Sequence, residues 1–195
     1  MRRKTFDALL ATGGVVVAAI LLVAGGLLVW AHSFINDQVE TQLSAQQIYF
    51  PEQGSDSLND PAVKPYLEQY AGQQLTNGEQ ARAYADHYIN VHLNEMTGGQ
   101  TYSQLSAKSL EQPNNTELAS QVQTVFRGET LRGLLLNAYA FWKIGQIALF
   151  AAVAAFIGAG LMLLLSGLGF WHLRRAPADK EVLPSLAKPR VAAQE

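Results

Sequence analysis

The chain contains no cysteine. That removes disulfide frameworks, thiolate zinc sites, iron–sulfur clusters and thiol nucleophiles together, so any folded region must hold by packing alone. Charge is also scarce: Asp, Glu, Lys and Arg make up 15% of the 195 residues, against roughly 25% in an average soluble domain. Apolar residues reach 49%, a surplus that needs a non-aqueous home. No stretch sustains the period-two alternation of a half-buried strand, which points away from a sheet and towards helices.

The missing charge is concentrated in two runs. Residues 9–30, LLATGGVVVAAILLVAGGLLVW, carry none, and about 20 such residues suffice to cross a hydrocarbon core of roughly 30 Å. In residues 144–171 the only strongly polar side chains are Gln146 and Ser166. The surplus length of this second run fits a tilted span, or a helix standing partly clear of lipid. Val29-Trp30-Ala31 loosely resembles a signal cleavage site, but the run before it exceeds the roughly 7 to 15 residues of a signal core. Whether the first span is cleaved stays open at this level.

Charge sign supplies an orientation. Arg2, Arg3 and Lys4 precede the first run and Arg174 and Arg175 follow the second, whereas residues 31–142 hold twelve acidic side chains and five basic ones. The positive-inside rule then predicts both termini in the cytoplasm. Trp30 and Trp142 would fall at the outer interface and Trp171 at the inner one, where indoles anchor. The expected architecture is an all-α membrane protein of the cell membrane: a cytoplasmic N-terminus (residues 1–8), transmembrane helices at 9–30 and 143–171, and a disordered cytoplasmic tail (172–195). The two spans form a hairpin, with a mostly helical extracytoplasmic domain (31–142) between them. Ala148, Ala152, Ala155 and Ala159 line one stripe of the second span, with Gly14 and Ala18 at the same spacing in the first. Such stripes let helix backbones approach closely, whether the spans pack on each other, on a partner, or on a second copy.

In the outer region Ile35, Val39 and Leu43 continue the first helix towards Pro51, which is expected to stop it. Asp60 and Pro61 suit the start of a short helix. The clearest element opens near Thr76 and Asn77 and stops at Gly98-Gly99, with Ala81, Ala85, Tyr88, Ile89, His92 and Met96 on one face. A further helix starts near Asn115 and Thr116 and buries Leu118, Val122 and Phe126. After a break at Gly128, Thr130 would cap a last helix leading into the second span.

Residues 81–104, ARAYADHYINVHLNEMTGGQTYSQ, and 125–145, VFRGETLRGLLLNAYAFWKIG, together with the flanking spans, resemble a group of two-span actinobacterial membrane proteins of unestablished function. Some members carry the label of aromatic ring-opening dioxygenase, and the resemblance implies, at most, a metal-dependent oxygenase. Such chemistry commonly needs two histidines and a carboxylate around a redox metal. The outer region offers His32, His87 and His92, and on a straight α-helix the last two point about 140° apart. His92 is expected instead to hydrogen-bond Tyr102 or another buried polar group, and Arg127 or Arg132 to pair with Glu129.

No catalytic, cofactor-binding or metal-binding residue is therefore assigned, and no cofactor. The acidic outer surface argues against nucleic acid as a partner. Expected partners are membrane lipid and a protein, or a second copy, through the spans. The expected role is an integral membrane protein without catalytic activity, an accessory or scaffolding subunit of a cell-envelope complex. A binding or sensing module for a lipid-like ligand is the alternative, and the dioxygenase ranks third.

Overall fold

The computed structural model describes residues 3–175; the expected tail lies almost wholly outside them. Among the described residues every regular element is helical: α1 (Arg3–Ala45), α2 (Asp56–Asn59), α3 (Lys64–Leu67), α4 (Gly78–Tyr84), α5 (Asn90–Thr97), α6 (Tyr102–Glu111) and α7 (Thr116–Arg175). A 3₁₀ turn follows α3, and a π-turn (Ala85–Ile89) joins α4 to α5. The chain divides into two compact units. One takes its described residues from the start of the chain to Val29 and from Leu149 onward, and the other is Trp30–Ala148.

In the first unit, α1 and α7 each contain an 18-residue window of mean hydropathy 2.5, long and apolar enough to cross a membrane. Only 11% and 17% of these windows is buried, so most of their apolar surface is left uncovered by the chain itself. The two segments meet along small residues. Ala18, Ala152 and Ala159 are fully buried and Ala11 and Ser166 nearly so. Ala11 lies against Gly169, Gly14 against Ser166, Leu21 against Gly158 and Gly25 against Phe156. Partner numbers fall as α1 numbers rise, the mark of antiparallel helices. On α1 the contact positions 11, 14, 18, 21 and 25 step by three and four, the seam of a left-handed coiled coil. Its small side chains permit close packing where lipid would give no hydrophobic drive.

The second unit is a helical domain with one core. Val39, Leu43, Phe50, Leu58, Val63, Leu67, Leu75 and Leu105 are buried in it. From α7 come Leu118, Val125 and Leu135. α1 ends at Ala45, before the proline expected to stop it. The chain reverses through Gln47 at φ 51°, and the Gln74 side chain donates to the half-buried Ser44 carbonyl at 2.8 Å. Residues 48–51 then lie antiparallel to 72–75, with Phe50 N–H on Gln73 O at 2.9 Å and Leu75 N–H on Ile48 O at 2.8 Å. Asp60 does not cap α3. Its carboxylate accepts from Ala62 N–H at 2.7 Å, forming a turn, and α3 starts from Val63 without a side-chain cap.

α4 starts as expected: Asn77 accepts from Gln80 N–H and Gln80 returns to the cap backbone, a reciprocal pair that satisfies donors the helix leaves free. From α4 through the π-turn to α5 the buried positions 81, 85, 89, 93 and 97 step by four. On a plain α-helix sixteen residues would carry that row about 160° around the axis. The π-turn absorbs one extra residue and cuts the drift to about 60°. The predicted face consequently switches beyond the turn. Leu93 and Thr97 are buried, while Met96 is exposed and His92 half-buried.

Three further expectations are overturned. α7 runs unbroken through Gly128, where the missing side chain makes room for Leu93 and does not stop the helix; a β-carbon would sit 2.7 Å from Leu93 Cδ2. Thr130 donates back to Phe126 O at 2.7 Å and caps nothing. On the same helix Val125 takes the core position expected of Phe126, which is exposed.

Candidate functional site

On one side of the helical domain α1 and α7 leave a groove of about 610 Å³. Phe34, Gln38 and Gln42 line it from α1, and Leu131, Leu134 and Phe141 from α7. All its lining residues are uncharged; the polar ones are three glutamines and Asn137, all neutral amides. Leu134 is 62% exposed and Phe141 55%, an apolar surface of the kind that soluble monomers cover. The groove arises because the apolar face of α7 is two stripes wide. Leu135 and Trp142 turn inward to the domain core, while Leu134 and Phe141, one residue before each, stay open.

At the foot of the groove α1 and α7 approach closely. A β-carbon on Gly145 would lie 3.1 Å from Ile35 Cγ2. His32 Nδ1 stands 2.9 Å from Gly145 O and, because a carbonyl only accepts, Nδ1 carries the proton and donates. His32 Nε2 then accepts from Asn36 Nδ2 at 3.1 Å. Asn36 Oδ1 is buried without a hydrogen-bond partner. Trp30, 65% exposed, stacks on Phe34 with ring centroids 5.6 Å apart. Trp142 instead turns into the domain against Gly78.

A second constellation follows the π-turn. Phe50 meets Tyr70 and Tyr84, Tyr84 meets Tyr88, and Tyr88 meets His92, at centroid separations of 4.4–5.4 Å. Burial, with Tyr88 adding to it, pushes the Tyr84 hydroxyl up to about 12; burial and then the Glu79 carboxylate raise Tyr70. Both phenols thus resist ionisation, the opposite of what a tyrosinate base requires. On the outer surface of the turn Asp86 pairs with Arg82 at 3.6 Å and with Arg132 at 3.5 Å, and Arg132 reaches Glu129 at 3.4 Å.

The three histidines of this unit are engaged separately. His32 ties α1 to α7, and His87 stacks on Tyr66 with centroids 3.5 Å apart. His92 donates from Nδ1 to Tyr88 O at 2.8 Å, so of the two expected partners it takes another polar group and not Tyr102, which packs on Phe126. Among the described residues no group of three His, Asp or Glu side chains converges as a metal site. In the first unit a smaller hollow is lined in part by Asp7, Ser166 and His172.

Sequence reasoning missed the groove. The only trace of it along the chain is the adjacent apolar pairs Leu134/Leu135 and Phe141/Trp142, which do not by themselves say where α1 runs. Compared with protein families, curated proteins and solved structures, the chain finds no match.

Proposed function

We propose that this chain is an integral membrane protein of two spans with both ends cytoplasmic. Its outer helical domain serves as a non-enzymatic recognition module, an accessory or scaffolding component of the cell envelope. The observation that carries the recognition role is the uncharged groove between α1 and α7, with Leu134 and Phe141 left open. Membrane insertion is supported by the two apolar windows, so little buried, and orientation by the basic residues beside them. The aromatic row and its reluctant phenols suit a rigid support for the domain better than a reaction centre.

A second reading, a site for a lipid-like ligand, is favoured by the lining. Its volume falls in the roughly 300–1,000 Å³ range of small-ligand sites, and its four amides offer orientation without charge.

The absence of native cysteine makes the topology directly testable. Single cysteines at Ser109 and at Thr5 should differ in intact cells: a membrane-impermeant maleimide labels the first and spares the second until the cells are opened. Equal labelling of both in intact cells rejects the orientation, and release of the chain by alkaline carbonate rejects insertion.

A further inference from the structure

We propose that the groove holds one acyl chain of an outer-leaflet lipid, entering sideways from the bilayer at the Phe34–Phe141 end. The inference rests on the membrane reading above and names the ligand class of that site.

Continuity comes first. The lower lining residues Phe34, Phe141 and Ile144 adjoin Trp30 and Ile147 along the two helices, all more than half exposed, so exposed apolar side chains continue from the expected bilayer boundary into the groove. The groove follows α1 from Phe34 to Gln46, about 18 Å at 1.5 Å per residue. That is close to the thickness of one hydrocarbon leaflet, about 15 Å, and hence to the length of an extended acyl chain.

Charge comes second. A protein helix seated between α1 and α7 would be expected to find charged partners along the rim, as helix pairs set register through such contacts. The lining here is uncharged from end to end, while the ion pairs of the domain gather elsewhere, around Asp86 and Arg132. Gln38, Gln42 and Asn137 present amide N–H groups that can donate to ester carbonyls, giving a lipid a polar foothold within an apolar trough.

The test uses the full chain reconstituted in phosphatidylethanolamine–phosphatidylglycerol vesicles. These are doped with phosphatidylglycerol bearing a diazirine within one acyl chain, and the irradiated protein is mapped by mass spectrometry. Adducts at Phe34, Leu131 and Leu134, besides those on the spans, are the expected result. The double variant Leu131→Gln/Leu134→Gln should lower adducts at Phe34 about tenfold, the effect of losing about 1.4 kcal/mol of binding. Phe126→Gln, at an exposed site outside the groove, should not change them. Because Leu131 and Leu134 are both exposed, unchanged helicity by circular dichroism is expected of the double variant, and adducts in the parent chain decide the matter if it misfolds. Adducts confined to the spans of an inserted protein overturn the proposal and leave the membrane reading standing. A crosslink from Leu134 to a second copy or to another protein overturns it as well. A chain that fails to insert removes the membrane reading itself.

Discussion

Gly78 lies directly against the indole of Trp142, so close that a β-carbon on the glycine would overlap the ring. The first turn of α4 therefore seats on α7 within the helical domain, and the tryptophan is fixed by an absence of side chain. Replacing Gly78 with Ala should force the indole or the turn aside. The expected loss is about 1–3 kcal/mol, as for other overpacked cores, read as a lower midpoint in thermal melts of the detergent-solubilised chain. An unchanged midpoint would show that the contact yields freely.

Gln47 holds φ at 51° without being glycine. Left-handed backbone costs an ordinary residue about 1 kcal/mol or more, and glycine far less. Gln47→Gly should raise stability by up to about 1 kcal/mol, whereas Gly98→Ala, at φ 60° at the end of α5, should lower it by a similar amount. Opposite signs at the two positions are the prediction, and a denaturation series on both variants checks it.

Tyr84 gives the domain a defined alkaline response. Its folded hydroxyl is raised to about 12, above the ordinary value near 10, so the unfolded chain releases that proton first. The contribution is fully present below pH 10 and is lost as pH rises from about 10 towards 12; Tyr70, also raised, adds in the same direction. Absorbance at 295 nm should show a late-titrating tyrosine that Tyr84→Phe removes, together with a shallower fall of stability over that window.

Asp86 bridges Arg82 and Arg132. The Arg132–Asp86 pair is the more shielded, so Asp86→Ala and Arg132→Ala should each cost on the order of 1 kcal/mol and their double variant less than the sum. Additive losses would mean that the two side chains do not interact in solution. The Arg82 arm, with its guanidinium more exposed, should contribute less.

Local signals carried much of the architecture. The uncharged windows announced the apolar parts of α1 and α7, Asn77 and Gly98 bounded the α4–α5 helix, and Asn115 accepts from Leu118 N–H where a separate outer helix was expected to begin. Tertiary relationships were less legible. Gly128 reads as a helix stop in one dimension, yet Leu93 needs that space and the helix continues. The α6 helix was overlooked although Thr101 and Gln104 form its capping box, because its single buried residue, Leu105, gives no periodic stripe. The groove depends on how α1 and α7 diverge above Gly145, which no window along either sequence encodes.

The π-turn leaves this helix with one residue more than its faces require. Deleting a single residue from that turn would bring Ala85 and the present Ile89 to a spacing of three, still on the same side of an ordinary α-helix. A shortened chain is thus expected to retain the inward row of Leu93 and Thr97 while losing the local widening around Asp86 and His87.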